Sequence, residues 1–465
     1  MTPVPRSLRH ARERNSPVVR LTRLLPALLI STAACAAPAA ALAADAPVWK
    51  VSGSMRVRYE TVDNQVRPNF NNHDEVVSLR TTLFAEGKFG DVRIGGEIYD
   101  SRIWGANRRS PVSTNEVNIF EPVQAYIAID KKTEDFGKVT LTAGRYMLNL
   151  GSRRLVAADD YRNTTNGYTG LRLDAAPAGL KTTLIYVMPQ MRRPDDLTGV
   201  LDNKQAMDKE SQDAVLWGGV VAKPKAIGNA MLEASYFRFD EKDAPGRPTR
   251  NRHLDTFSAR IIVDPKAGAW DYEVEAIGQT GKIRRGTGAA DPQLDVRAGF
   301  IHADAGYTFV HDWKPRLSAE IDYATGDKAG GDYTRFDTLF GMRRADFGPS
   351  GIFAAIHRAN IVTPGLRLEV APSPRWEAFV LGRAMWLEEA DDSFATTSVR
   401  DARAASGKYA GAMYEGRVRY WVIPSKLRFE GNALLLDKGR FLREAPNAPK
   451  SGDETYASLN LTASF

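Results

Sequence analysis

The sequence predicts an all-β protein, a transmembrane antiparallel up-and-down β-barrel of about 18 strands with short periplasmic turns and long extracellular loops. Three observations lead to this fold class. Residues 457–465 alternate without interruption between apolar and polar side chains, which is the period of a strand with two unlike faces. The same alternation recurs along the chain after residue 44. Short turns and long polar connections follow one another alternately between these segments, as in barrels that cross a membrane.

The first element is a predicted cleaved signal peptide at residues 1–43. A cluster of arginines precedes an apolar run from Leu24 to Ala34, and Ala41-Leu42-Ala43 supplies the small-x-small pattern that a signal peptidase cuts. An apolar run of about 11 residues is too short to span a bilayer as a helix, and no later stretch approaches the ~18 residues needed. Any membrane crossing must therefore use strands, and residues 44–465 are the predicted barrel.

Loss of this segment changes the charge of the protein. The segment carries six arginines and one glutamate, so its removal lowers the formal net charge from +7 to +2. A nucleic-acid partner would need a basic surface, and the mature chain loses most of its excess charge. The single cysteine, Cys35, also lies in the segment, which leaves the mature chain without disulfide or thiolate chemistry.

The strands are predicted where apolar and polar residues alternate. In the last strand Leu459, Leu461 and Phe465 share the apolar face and Asn460 lies on the polar one. A C-terminal strand that ends in Phe resembles the assembly signal of bacterial outer-membrane barrels. We expect it to pair with the strand around Val51 to Tyr59, because an open edge is not tolerated in lipid. Comparable alternation occurs at residues 50–60, 78–86, 270–276, 317–323, 414–420 and 426–435.

The connections fix the direction of each strand. In outer-membrane barrels the short turns are periplasmic, and an even strand count returns both termini to the periplasm. The predicted short turns are 89–91, 177–179, 265–268, 372–374 and 423–425. The predicted long connections are 62–73, 103–116, 190–212, 241–250, 327–358, 388–407 and 438–453. Trp49, Trp270, Trp313, Trp376 and Trp421 lie near the short turns, which fits either an interfacial aromatic girdle or ordinary surface and core positions.

A barrel of this size encloses an aqueous lumen, so we expect permeation. Guanidinium groups facing the lumen can pair with carboxylates or sulfates, and rings of Arg or Lys select anions. Glutamates share these faces, however, so the arginines can equally be neutralised in cross-strand ladders, and both interpretations stay open. The arginines are Arg56, Arg58, Arg80, Arg172, Arg417, Arg419 and Arg428, and the glutamates are Glu60, Glu86, Glu97, Glu320, Glu415 and Glu430.

Two segments resemble the alginate export family of outer-membrane porins. Leu141 to Val156 reads LTAGRYMLNLGSRRLV and Tyr168 to Leu173 reads YTGLRL, which is similar to the family's GRQxLxxGxxRLV and FDGLRL. The second segment reads YATGD at 323–327, FDTLFG at 336–341, FGPSGI at 347–352 and NI at 360–361 before Pro364. It is similar to the family's YASGD, DTLFG and NIxxP. With QAY at 124–126, the similarity covers nearly the whole mature chain.

The resemblance implies a monomeric barrel of about 18 strands with an arginine-rich pore, in a family whose type member exports alginate, an anionic polyuronate. It implies that Arg145, Arg153 or Arg154, and Arg172 line the solute pathway, because these residues match the family's motif arginines. We therefore add Arg145 and Arg154 to the predicted pathway.

The chain departs from the family motif at two places. Tyr146 replaces the usual Gln, and Tyr168-Thr169 replaces Phe-Asp, so the solute stays open. Strand parity also points Arg145 outward, where an arginine at mid-membrane would cost about 2 to 4 kcal/mol. We interpret this conflict as a bulge at Gly144 or as a position beyond the lipid band.

The predicted function is passive export of an anionic exopolysaccharide, an alginate-like polyuronate, through an arginine-lined lumen of an outer-membrane channel. The alternative is an uptake porin for small anionic solutes. The connection Asp327 to Arg358 is a candidate plug. Expected partners are the polysaccharide, outer-membrane lipid, the barrel assembly machinery acting on the strand that ends at Phe465, and a periplasmic export scaffold, with no nucleic acid and a monomeric state.

Enzymatic and metal-binding functions have weaker signals. His302 shares a strand face with Asp304, but alternation explains that pair and no nucleophile motif accompanies it, so we expect no catalysis and no cofactor. The acidic pairs Asp159-Asp160 and Asp391-Asp392 lack the ordered oxygen spacing of a calcium loop, so we expect solvated charge and no metal site.

Overall fold

A computed structural model describes residues 48–343 and 346–465, and the predicted signal peptide lies outside them. The described residues form 18 antiparallel strands that follow one another in chain order and close on themselves. The fold class and strand number expected from the alternation are therefore confirmed. No helix in this part of the chain is long and apolar enough to traverse a bilayer.

The strands differ in length, from 9 residues in β6, β7 and β13 to 17 in β2. Their bounds are β1 Val48–Asp63, β2 His73–Phe89, β3 Val92–Trp104, β4 Asn118–Thr133, β5 Gly137–Met147, β6 Gly167–Ala175, β7 Lys181–Pro189, β8 Ala214–Ile227, β9 Ala230–Glu241, β10 His253–Val263, β11 Ala269–Arg284, β12 Gln293–Thr308, β13 Arg316–Ala324, β14 Ile361–Ser373, β15 Trp376–Trp386, β16 Tyr409–Ile423, β17 Leu427–Lys438 and β18 Glu454–Ser464. Two short helices, α1 Leu197–Leu201 and α2 Arg440–Glu444, lie in long connections.

Closure of the barrel joins the first and last strands. Val57 lies opposite Leu461 and Arg58 opposite Asn460 in the β1–β18 ladder. Gly53 exchanges backbone hydrogen bonds with Phe465, at 3.2 and 3.1 Å. The Phe465 ring also covers Gly53, where a Cβ would lie 2.6 Å from a ring carbon. The terminal aromatic thus seals the seam that the alternation predicts, and no open edge is left there.

The outward face of the barrel is apolar and carries an aromatic belt at each rim. Trp49 and Trp270 lie beside the short turns, and Trp104 and Trp386 end their strands at the opposite rim. All but Trp386 are more than a third exposed in the isolated chain, as expected for side chains that meet lipid headgroups. Trp421 differs, because its ring lies 5.5 Å from the inward-facing Arg428 guanidinium.

The connections alternate in length, which gives the barrel a short-turn end and a long-loop end. The long ones include two that fold into the lumen, loop A (residues 148–166) and loop B (residues 325–343 and 346–360). Loop B matches the connection proposed as a plug, whereas sequence patterning did not separate loop A from its neighbouring strands. Leu148, Val156 and Ala157 of loop A are fully buried, so this loop is packed rather than solvated.

Both inward loops cross the lumen. In a closed barrel of 18 strands in chain order, β1 lies opposite β10 and β18 opposite β9. Loop B spans such a diameter, since the Phe340 ring packs against Phe239 of β9 at 5.3 Å and the Phe353 ring against Tyr456 of β18 at 5.8 Å. The core of the protein is the apolar contact between these loops and the strands around them.

Candidate functional site

The inward positions of the barrel separate charge across the lumen. Strands β14 to β17, β1 and β2 carry arginines at these positions, interspersed with glutamates, and together with β18 we call this side the basic wall. Strands β9 to β13 form an acidic wall on the other side, where the inward-facing Arg260 and Arg316 pair with some of the carboxylates. The arginines of the basic wall are Arg56, Arg58, Arg80, Arg367, Arg383, Arg417, Arg419 and Arg428. The carboxylates of the acidic wall are Glu233, Asp271, Glu273, Glu275, Asp304, Glu320 and Asp322.

Arg417 and Arg419 combine the two roles that the sequence left open. Arg419 donates to Glu377 at 2.7 Å and also to Glu430, so it belongs to a cross-strand ladder. Arg417 lies 3.5 Å from Glu377, and its guanidinium carbon is 4.7 Å from the centre of the Phe379 ring. Both arginines keep about a fifth to a quarter of their surface accessible, so they can still meet a solute.

Arg56, Arg58 and Arg80 hold loop A. Arg56 donates to the carbonyl of Arg162 at 2.6 Å, Arg58 to that of Tyr161 at 2.5 Å, and Arg80 to that of Asp160 at 2.9 Å. These acceptors are neutral, so they orient the guanidinium groups without cancelling their charge, although Arg58 also lies 3.8 Å from the Glu60 carboxylate. The three arginines thus anchor the loop to this side of the lumen.

Arg154 lies on loop A and belongs to a buried charge cluster. It donates to Glu275 at 2.7 Å, to Asp346 of loop B at 2.9 Å, and also to Glu273. Asp346 in turn accepts from Arg358, which is fully buried. The cluster ties both loops to the acidic wall, so Arg154 serves as an anchor rather than as an accessible pathway residue.

Arg145 lies away from the basic wall. The β4–β5 ladder runs without a register shift from Thr133 to Ala125, which lies opposite Arg145, so the bulge proposed at Gly144 is not found in this ladder. The shift occurs in β4 instead, beside Val123. Arg145 keeps its outward parity near the long-loop end of β5, where Glu121 and Glu210 pair with it. These carboxylates explain how an outward arginine is tolerated there.

Arg172 and Arg428 both face the lumen but lie apart. Arg172 is on β6, far from the basic wall, and pairs with Asp174 at 2.7 Å. Arg428 lies on β17, and no described carboxylate lies within ion-pair distance of it. Of the predicted pathway arginines, the structure therefore gathers Arg417, Arg419 and Arg428 on neighbouring strands.

A cavity of about 300 Å³ lies between the two loops and the basic wall. On the wall side Arg367, Arg417 and Arg419 contribute guanidinium groups, Glu415 contributes a carboxylate, and Phe379 and Leu381 contribute apolar faces. Arg367 packs over the same Phe379 ring at 3.9 Å. Sequence reasoning did not select Arg367 or Phe379, although the alternation of residues 366–369 carries the signal for the former. The loop residues around the cavity are Arg153, Asp160, Met342, Asp346 and Gly348.

The residues considered for catalysis and calcium binding are engaged in ion pairs. His302 is buried and lies 2.7 Å from Asp322, whereas Asp304 pairs with Arg316, so the His302–Asp304 pair suggested by parity is not formed. Of the acidic pairs, Asp159 forms an ion pair with Arg162, and Asp392 accepts a hydrogen bond from Arg335.

Two carboxyl groups in the long-loop connections titrate near neutrality. Burial raises the pKa of Glu116 to about 7. Burial, together with the nearby Glu121 carboxylate, raises the pKa of Asp208 to about 7. The backbone N–H groups of Ser113 and Arg193 donate to these carboxylates, each at 2.7 Å, and offset part of the cost. Since Glu116 also holds loop A, its carbonyl accepting from Asn163 at 2.8 Å, its protonation bears on the loop packing.

We expect the packing of these connections to weaken as the pH rises from 4 to 7. The folded pKa of each carboxyl lies above its ordinary value, so the folded form keeps protons that the unfolded form releases, and the contribution of these two groups to stability is greatest below pH 4 and lost above about 7. Glu116 alone should account for on the order of 3 kcal/mol. The check is the thermal unfolding temperature in detergent at pH 5 and pH 8, where Glu116→Gln should remove much of the difference. Equal temperatures for the native chain would contradict this assignment.

Comparison with known proteins gives the family and the fold. The family model for alginate export matches residues 49–453. Among solved structures, OccAB1 of Acinetobacter baumannii has a TM-score of 0.57 at 14% identity over 90% of this chain and 96% of that chain. The BenF-like porin from Pseudomonas fluorescens Pf-5 gives 0.57 at 13% identity over 90% and 99%. OccK2 (OpdF) of Pseudomonas aeruginosa, in complex with glucuronate, gives 0.56 at 13% over 90% and 96%.

These comparisons differ in what they establish. A search of curated proteins finds no match to this chain. The porin structures are 13% to 14% identical to it and share its fold. The family match spans nearly the whole barrel, from β1 to the connection before β18. The short-turn end is therefore the periplasmic end. The chain is an outer-membrane β-barrel channel, and it belongs to the alginate export family.

Proposed function

We propose that this channel passively exports an anionic exopolysaccharide, an alginate-like polyuronate, along its basic wall. The observation that carries the proposal is the placement of Arg367 of β14 and of Arg417 and Arg419 of β16 at one open cavity. Each guanidinium can form paired hydrogen bonds with one carboxylate, and a polyuronate presents a carboxylate on every sugar. Membership of the alginate export family supports the same solute class.

The glutamates between the arginines suit passage rather than tight binding. Conduction requires a site that is attractive enough to enter and weak enough to leave. Arg419 shares its charge with Glu377 and Glu430, so a passing carboxylate competes with groups already in place. A sugar chain can therefore move from one arginine to the next at little cost, and no energy source beyond the concentration gradient is needed.

Planar-bilayer recordings of the purified barrel test this proposal. We expect the reversal potential in a salt gradient to show anion selectivity, since Arg367, Arg417 and Arg419 line the open cavity. Oligouronates should block the current, while neutral glucans of equal length should not. A cation-selective pore would contradict the proposed pathway.

A second function, uptake of small anionic solutes, has its own supporting observation. Loops A and B both cross the lumen, and the cavity at the basic wall is about 300 Å³, the lower end of the range for small-molecule sites. One sugar acid fits such a space more readily than a polymer. OccK2, a barrel of the same fold, is known in complex with glucuronate. Liposome swelling by glucuronate together with no block by long oligouronates would favour uptake over export.

We further propose the processing and partners expected from the sequence. Residues 1–43 would be removed during export. The strand that ends at Phe465 would be read by the barrel assembly machinery, and a periplasmic scaffold would deliver the polymer to a monomeric barrel. Genes for a polysaccharide polymerase beside this one would support export.

A further inference from the structure

We propose that Tyr146 and Arg172 form a capture site for a uronate residue in the periplasmic half of the lumen, ahead of the basic wall. This inference rests on the proposed passage of an anionic saccharide. It gives a role to Tyr146, the residue at which the chain departs from its family motif.

A separate cavity of about 590 Å³ lies on the inner face of β3 to β7. Tyr146 and Met147 border it toward the middle of the barrel, where β5 ends and loop A begins. Lys138 and Lys181 border it at the periplasmic ends of β5 and β7. The volume lies within the range of small-molecule sites, and the cavity opens toward the side from which an exported polymer arrives.

The Tyr146 hydroxyl is a donor without an acceptor. The side chain is 3% exposed and points inward, with Thr140 and Thr142 on the same face of β5. No described residue forms a hydrogen bond with its hydroxyl. A buried polar group left unpaired costs free energy, and native proteins rarely keep one without a reason. Tyr168, which lies opposite on β6, differs in this respect because its hydroxyl donates to the Ala157 carbonyl at 3.1 Å.

The charges around the cavity favour an anion. Arg93, Lys138, Arg172 and Lys181 line it together with the carboxylate of Asp174. Arg93 pairs with Glu86 and Asp130, and Lys138 also with Asp130, so Arg172 and Lys181 supply most of the positive charge that an anion can meet. Arg172 keeps about a third of its side chain exposed while pairing with Asp174. An arriving carboxylate can therefore bind the accessible part of the guanidinium, and the neighbouring lysines raise the local concentration of anions.

The remaining lining groups suit the rest of a sugar ring. Thr140, Thr142 and Thr183 supply hydroxyls, of which Thr140 donates to Asp130 and Thr183 to Asp174. The oxygens of these two hydroxyls can still accept from ring hydroxyls, Thr142 and the phenol of Tyr146 can donate to them, and Arg172 takes the carboxylate. A carboxylate beside several hydroxyls is the chemistry of a hexuronate.

Block of single channels by a uronate trimer, added separately to each side of the bilayer, tests the site. From the periplasmic side we expect Tyr146→Phe to raise the half-blocking concentration about fivefold, the effect of one hydrogen bond to a neutral group. Arg172→Gln should raise it at least as much. Tyr186→Phe is the matched control, because Tyr186 lies on the adjacent β7 but is exposed on the outward face.

The outcomes separate this inference from the proposed function. Half-blocking concentrations of Tyr146→Phe and Arg172→Gln within twofold of the native value would overturn the capture site, while anion selectivity would leave the proposed function standing. An anion-selective native pore that no uronate blocks from the periplasmic side would also overturn it. A cation-selective pore would remove the proposed function itself, and the capture site with it. Native thermal stability of Tyr146→Phe would show that the loss of block is a loss of binding.

Discussion

Replacing Asp346 with alanine should release loops A and B from the acidic wall and raise the conductance of the channel. Asp346 accepts from Arg154 at 2.9 and 3.0 Å and also from Arg358. Its backbone carbonyl accepts from Arg383 at 2.6 Å, which fixes its place in the lumen. It is thus the contact at which both loops and the barrel wall meet.

The size of the effect follows from burial. Arg358 is fully buried, and Asp346 is its only ion-pair partner among the described residues. Removing one member of a buried pair typically costs about 3 to 5 kcal/mol, because a charge is left uncompensated. Since each 1.4 kcal/mol is a factor of about ten, the ratio of packed to released loops should fall at least a hundredfold.

Single-channel recordings and thermal unfolding check this result. Asp346→Ala should show larger or more frequent openings and a lower unfolding temperature than the native chain. Glu444→Gln is the control, since the Arg440–Glu444 pair of α2 is exposed and contributes little to stability. If conductance and opening frequency match those of the native channel, the loops are held in the lumen by their apolar contacts and not by the charge cluster.

The strands of this barrel could be predicted from sequence because apolar and polar residues alternate along them. The last strand shows this, since the parity that placed Leu461 outward and Asn460 inward also set their partners, Val57 and Arg58. One face of each strand meets lipid and the other meets water. Apolar and polar residues therefore alternate clearly wherever the barrel wall is regular.

Loop A could not be predicted in this way because its apolar residues face protein. Leu148, Leu155 and Val156 are buried inside the barrel, and Val156 forms a bridge with Phe340 of loop B. In sequence such residues resemble the outward face of a strand. What distinguishes them is contact with a segment far along the chain, and no local period encodes that.

The roles of the arginines could not be predicted from the local sequence pattern either. Whether Arg419 is neutralised depends on the register that brings Glu377 and Glu430 beside it. Arg56 and Arg80 depend on where the backbone of loop A passes. Parity for Arg145 was right, but the bulge proposed to rescue it was wrong, because the partners Glu121 and Glu210 come from another strand and another loop.

The double variant Arg417→Ser, Arg419→Ser should shift the channel away from anion selectivity. Two positive charges leave the cavity while Glu377 and Glu430 remain. At about 8 Å in water, one charge contributes ~0.5 kcal/mol to the energy of a passing ion. The loss acts with opposite sign on anions and cations, so the permeability ratio should fall roughly tenfold after screening by salt. The measurement is the reversal potential in a salt gradient.

Two further variants distinguish arginines that contact the solute from arginines that are neutralised in a cross-strand ladder. Glu377→Gln removes the ladder partner of both arginines, so anion selectivity should rise if their charge faces the solute. Arg440→Ser removes an exposed arginine of α2 and should leave the reversal potential unchanged. If the double variant also leaves it unchanged, Glu377 and Glu430 already neutralise Arg417 and Arg419. The anion path would then have to rest on Arg367 and Arg428. Arg428 is the stronger candidate of the two, because no described carboxylate forms an ion pair with it.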